Sequence, residues 1–216
     1  AQRTATEASA VDFLANDFTE CFSQMRHYDS QIWDITKFIV IELLGVIIAA
    51  WSIFSFGSDS KNAVIVSYYP FVIVLIMLAS YSFGILSIYT IVRLRLYFTV
   101  VARYINEQRH FFLKEKPLNF ANTSGMYVNF KCPQPYDGPS SHMISIYLIA
   151  GLNSIAIWIV SFLASHWLGK VGVFSFVVST IAYFVSLIAI SWCATKFLKG
   201  KNDLPADMAV FGKKIQ

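Results

Sequence analysis

The chain has 216 residues, 56% of them hydrophobic and 14% charged. A water-soluble surface needs roughly a quarter of the residues charged, so an ordinary soluble domain is excluded. The net charge of +4 and mean hydropathy of +0.55 fit a chain whose surface largely faces lipid, and the 19 Phe and 11 Tyr suit lipid-facing and interfacial positions.

In chain order, the first segment, 1–36, lacks the basic, apolar and small-residue order of a secretory signal. From Val11 the apolar positions run Leu14, Phe18, Cys21, Met25, Tyr28, Ile32, Ile35 and Ile39, alternating steps of three and four as at the a and d positions of a coiled coil. This predicts one helix from near Ser9 to near Phe56, with Thr6–Ser9 as its cap. It would carry a cytoplasmic amphipathic segment straight into a first membrane span, 37–56. Phe13, Phe22 and Trp33 fall outside the series and widen its apolar face. Phe18, Phe22 and Met25 are therefore the candidates for a seam that a second neighbour covers: another copy, another protein or the chain's own loop.

Glu42 is the one charge inside any of the four apolar runs. An ionisable group in a span is costly and often functional. Counted from Lys37 it lies about one turn above the inner boundary. Lys37 or Arg93 is within reach by snorkelling, so the reading is a structural ion pair or hydrogen bond ahead of a pore or proton role.

A short connection leads to the second run, 64–92. Pro70 is expected in the first turn of its helix, where a missing N–H is harmless, with Tyr68 and Tyr69 at the interface. Beyond Val92 the series Leu94, Phe98, Val101, Ile105, Gln108 and Phe112 continues without Gly or Pro until Pro117. A second helix is predicted from near Pro70 to near Lys116. Both helices would be about 70 Å long, well beyond a bilayer, and would project together as an antiparallel cytoplasmic stalk.

Charge agrees with that pairing. Glu7, Asp12, Asp17, Glu20, Asp29 and Asp34 oppose only Arg3 and Arg26 in the first segment, whereas Arg93, Arg95, Arg103, Arg109, Lys114 and Lys116 oppose only Glu107 and Glu115 in the other. Exposed pairs contribute tenths of a kcal/mol each, so their sum selects the partner more than it stabilises. Arg93, Arg95, Arg103 and Arg109 are candidates for lipid or partner contact. The leading reading is bases facing an acidic neighbour while the aromatics pack. Anionic headgroups come second, with Arg93 and Arg95 at headgroup level, and nucleic acid is disfavoured.

Segment 93–143 ends in a turn-rich stretch from Pro117 to His142 that still holds Phe120, Met126, Tyr127, Phe130 and Tyr136. So many aromatics predict an ordered loop packed on the stalk or the membrane surface, and a partner site. The third span, 144–169, contains Asn153, read as a helix–helix hydrogen bond. The fourth is 171–195, followed by a tail, 196–216. Ser145, Asn153, Ser154, Ser161 and Ser165 on the third run, and Ser175, Ser179, Thr180 and Ser186 on the fourth, suit packed helices or a pore lining.

Nearly all Lys and Arg lie before the first run, in the 93–143 segment and in the tail, and the two short connections hold one lysine each. This predicts both termini in the cytoplasm, and the expected location is a prokaryotic inner (plasma) membrane. Cys21, Cys132 and Cys193 form neither a disulfide framework nor a zinc spacing. No catalytic, cofactor or metal motif is present. The fold class is thus an all-α integral membrane protein with four spans in two hairpins. The expected function is a non-enzymatic interaction, scaffold or sensor subunit acting through its stalk and loop. A homo-oligomeric ion channel or pore is the alternative. Expected partners are membrane lipids, anionic headgroups included, and either further copies of the chain or a larger membrane complex.

Overall fold

In the computed structural model, residues 5–59, 63–114, 122–123, 128–129, 131–169 and 172–202 are described. They form α1 (Ala5–Asp59), α2 (Ala63–Lys114), α3 (Ser141–Trp167) and α4 (Val173–Lys199), with no strand among the described residues. All four helices are long and apolar enough to cross a membrane, with mean hydropathies of 2.0 to 2.4 over their best windows.

Both long helices exist, with altered ends. α1 starts at Ala5, so Thr6 and Ser9 lie inside the helix and not ahead of it. α2 starts at Ala63, which places Pro70 in its interior instead of its first turn. Pro70 removes one backbone bond there. Local adjustment of the helix and neighbouring segments can absorb that loss inside a span. The side chains expected to order the loop at Phe120, Met126, Tyr127 and Phe130 lie outside the described residues.

The chain divides into two compact units, and α1 and α2 contribute to both. Unit 2 comprises 33–92 and 139–197. Its inner surface is a small-residue and aliphatic cluster of Ala50, Ile73, Met77 and Ala156, flanked by Val46, Ile53, Tyr81 and Ile159. Its outer surface is apolar as well: Ile41, Leu44, Ile48, Leu75, Leu78, Ile181, Phe184, Val185 and Ile188 are all exposed. A surface of this kind is stable against lipid. In lipid, burying aliphatics gives little hydrophobic gain, so close packing and interhelical hydrogen bonds hold the helices together. Those bonds include Tyr81 with Ser186 (3.3 Å), Ser154 to Ser186 (3.1 Å), Tyr147 with Thr195 (3.2 Å) and Trp158 to Thr180 (3.4 Å).

Unit 1 comprises 1–32, 93–138 and 198–216. Its described part pairs the start of α1 with the end of α2. Tyr28 stacks on Tyr97 at 5.7 Å, and the Asp17 carboxylate accepts bonds from Tyr104 and Gln108, each at 2.7 Å. The residues of the three–four series in α1, from Val11 to Tyr28, are half-buried, whereas Phe13 is 67% exposed. In α2, Ile105 and Gln108 of the matching series are buried.

Candidate functional site

A proline-rich stretch has a particular hydrogen-bond problem. The run Cys132-Pro133-Gln134-Pro135 loses two N–H donors to its prolines but keeps every carbonyl. It forms neither helix nor strand, so those carbonyls need donors from elsewhere. One face of α2 supplies them. The Arg95 guanidinium donates from Nε to the Pro135 carbonyl (3.2 Å) and from Nη2 to that of Gln134 (3.0 Å). Two turns further along, Arg103 Nε donates to the Pro133 carbonyl (2.9 Å) and its Nη2 to that of Asn202 (3.4 Å). Asn106 Nδ2 donates to the carbonyls of Cys132 (2.8 Å) and Asn129 (3.3 Å). Asn202, just past α4, completes the set. Its Oδ1 accepts the Tyr136 N–H at 2.9 Å.

Arg95 is 3% exposed and Arg103 is also buried. Burial lowers both guanidinium pKa values. Asp137 and then Asp29 oppose the shift at Arg95, and Cys132 opposes it at Arg103. An arginine remains protonated regardless, so this clasp holds at any pH the protein meets.

The clasp leaves a cleft of about 870 Å³ between the stretch and the two helices. Phe22 and Met25 of α1 line it with Phe98, Ala102, Ile105, Asn106 and Arg109 of α2 and with Asn129, Cys132, Pro133, Gln134 and Asp137. Its size falls in the range of small-ligand sites, as does its mix of apolar wall and a few convergent polar groups. Arg109 lies over the Phe18 and Phe22 rings, 5.4 and 5.8 Å from their centroids, and Arg26 covers Phe22 at 5.1 Å.

The four basic candidates therefore part ways. Arg95 and Arg103 hold the proline-rich stretch, Arg109 stacks at the cleft, and exposed Arg93 reaches Tyr97 Oη at 3.1 Å. Of the seam candidates, Phe22 and Met25 line the cleft and Phe18 stacks on Phe22 at 6.2 Å. Asn106, Asp17 and Asn202 were not singled out from sequence. Asn106 had a visible signal, an amide within a helix of strong apolar pattern. Asn202 had none.

In unit 2, Asn153 is fully buried, and its Nδ2 donates to the Tyr81 carbonyl at 3.1 Å. Glu42 has one buried carboxylate oxygen without a partner. Lys37, expected to reach it, lies 3.6 Å from Asp34. The polar residues of α3 and α4 mostly turn inward. Ser145, Ser154, Ser165 and Ser179 are buried, and each donates to the carbonyl four residues back. Compared with known proteins, the chain matches no family model, no curated protein and no solved structure.

Proposed function

We propose that the protein is a non-enzymatic sensor subunit of a membrane, whose cleft beside the proline-rich stretch receives a small molecule or a short segment of a partner. The cleft carries this reading: it is of ligand size, has aromatic and polar walls, and is held open by a pH-insensitive clasp. In this reading α1 with α2, and α3 with α4, are two membrane hairpins. The paired ends of α1 and α2 are a cytoplasmic stalk. The pore reading has less support, because Ser145, Ser154, Ser165 and Ser179, most of the serines that would line a channel, are buried and bonded within the chain.

Native mass spectrometry of the full chain in mild detergent tests the proposal. The wild type should carry an adduct, and Met25→Trp with Ala102→Phe should lose it while keeping its helicity. The same spectrum gives the number of copies in the assembly. A wild type that is bare and monomeric would sink the sensor reading, as would an adduct that survives the filled cleft.

Orientation rests on the distribution of Lys and Arg. An impermeant maleimide should label Ser58→Cys in intact cells and reach Cys132 only after permeabilisation. Cys21 should then react more slowly than exposed Cys132 at neutral pH. Its thiol pKa is raised, first by burial and then by the Asp17 carboxylate nearby, which leaves less of the reactive thiolate. Its rate should keep climbing above the ordinary thiol range of about pH 8.5. Early labelling of Cys132 would reverse the topology.

A further inference from the structure

Among the described residues of unit 2, three buried side-chain oxygens have no hydrogen-bond partner: Glu42 Oε2, Ser80 Oγ and Asn153 Oδ1. They come from α1, α2 and α3, and several contacts put them in one layer. Phe38 meets Phe83 and Phe54 meets Tyr69, so steps up α1 are matched by steps down α2, and Glu42 falls level with residues 79–81. On α1, Glu42 shares the face of buried Ile39 and half-buried Val46, one turn to either side. On α2, Ser80 lies in the buried line Ile73, Met77, Ser80, Gly84. Asn153 is placed against that same line. Its amide donates to the Tyr81 carbonyl and lies so close to Gly84 that an added Cβ would sit 2.6 Å from Asn153 Cγ.

Ser80 stands twelve residues from Val92, the last residue of the second apolar run, which is about 18 Å of helix rise. An ionisable side chain level with it is costly unless it finds a partner. Burial leaves Ser80 3% and Asn153 0% exposed, so bulk water does not satisfy them.

We infer that Glu42, Ser80 and Asn153 form an intramembrane site for a small alkali-metal cation such as Na⁺. The donor set is entirely oxygen, which suits hard cations. It carries a single negative charge, which a monovalent ion cancels and a divalent ion would overshoot. A carboxylate, a hydroxyl and an amide carbonyl each offer a lone pair toward one layer. Gly84 lets α3 approach closely enough to keep that layer small. The inference stands on unit 2 alone and is independent of the cleft in unit 1.

The test is thermal unfolding of the purified full chain in detergent, at constant ionic strength, with NaCl, KCl or N-methylglucamine chloride. NaCl at about ten times its half-effect concentration should raise the midpoint by about 3–6 °C over N-methylglucamine, and KCl should raise it less. Ser80→Ala, a mild change, should require more NaCl for the same shift, and Glu42→Gln should abolish it. Three results would each overturn the site: no difference among the salts, a full shift in the Glu42→Gln protein, or stabilisation by acid alone with no dependence on Na⁺. The last would assign a proton to Glu42. If Glu42→Gln does not fold, the Ser80→Ala titration decides by itself, because an unaltered half-effect concentration there would remove the site.

Discussion

Arg103→Ala should release the proline-rich stretch and destabilise unit 1 by about 2–4 kcal/mol. The side chain is buried and donates in two directions, to Pro133 and to Asn202. Its removal leaves both carbonyls to find new donors, and the neighbouring prolines offer none. Hydrogen–deuterium exchange gives a local readout. The Tyr136 amide donates to Asn202 Oδ1, so its protection should fall in the variant, while amides in the α3 interior keep theirs. Arg103→Lys should behave nearly as badly. A lysine keeps the charge but cannot direct separate N–H groups along the fixed fork that the two carbonyls require. Unchanged exchange at Tyr136 would show that Arg95 and Asn106 suffice without Arg103.

Gly84→Ala should cost about 2–4 kcal/mol through a different mechanism. The added methyl meets the Asn153 amide, with Asn153 Cγ at 2.6 Å and Nδ2 at 2.9 Å. Asn153 must then swing away and lose its bond to the Tyr81 carbonyl. The combination Gly84→Ala with Asn153→Ala separates crowding from a general intolerance of change. Shortening Asn153 makes room for the methyl, so the double variant should be more stable than the sum of the singles predicts. Thermal midpoints in detergent complete the cycle. Strict additivity would mean that the two positions do not touch.

Much of the architecture was legible, because its signals are periodic. Four apolar runs of spanning length became helices, as a bilayer demands of any segment crossing it. The three–four spacing from Val11 to Ile39 is the buried and half-buried line of α1. Boundaries were less legible. Pro70 reads as a helix start by local rules, yet α2 begins at Ala63, since a span tolerates one missing backbone bond.

Charge was a partial guide. An acidic first segment and a basic second one suggest ion pairing, and the Asp29 charge does bear on Arg95. Arg95 and Arg103 also donate to main-chain carbonyls, and Asp17 accepts from a tyrosine and an amide. Sequence displays side-chain charges plainly and hides the acceptors every residue carries on its backbone. Asn202 was illegible for that reason: its partners are the Tyr136 amide, the Arg103 guanidinium and the Gln134 side chain, sixty or more positions away.

The way the proline-rich stretch is held has a consequence for how the protein can change over generations. Most of its anchors grip main-chain oxygen, which is the same atom whatever residue carries it. Side chains along such a stretch are open to substitution without loss of those main-chain bonds. Recognition can drift to new targets on a fixed mount, much as an interchangeable bit sits in a common chuck.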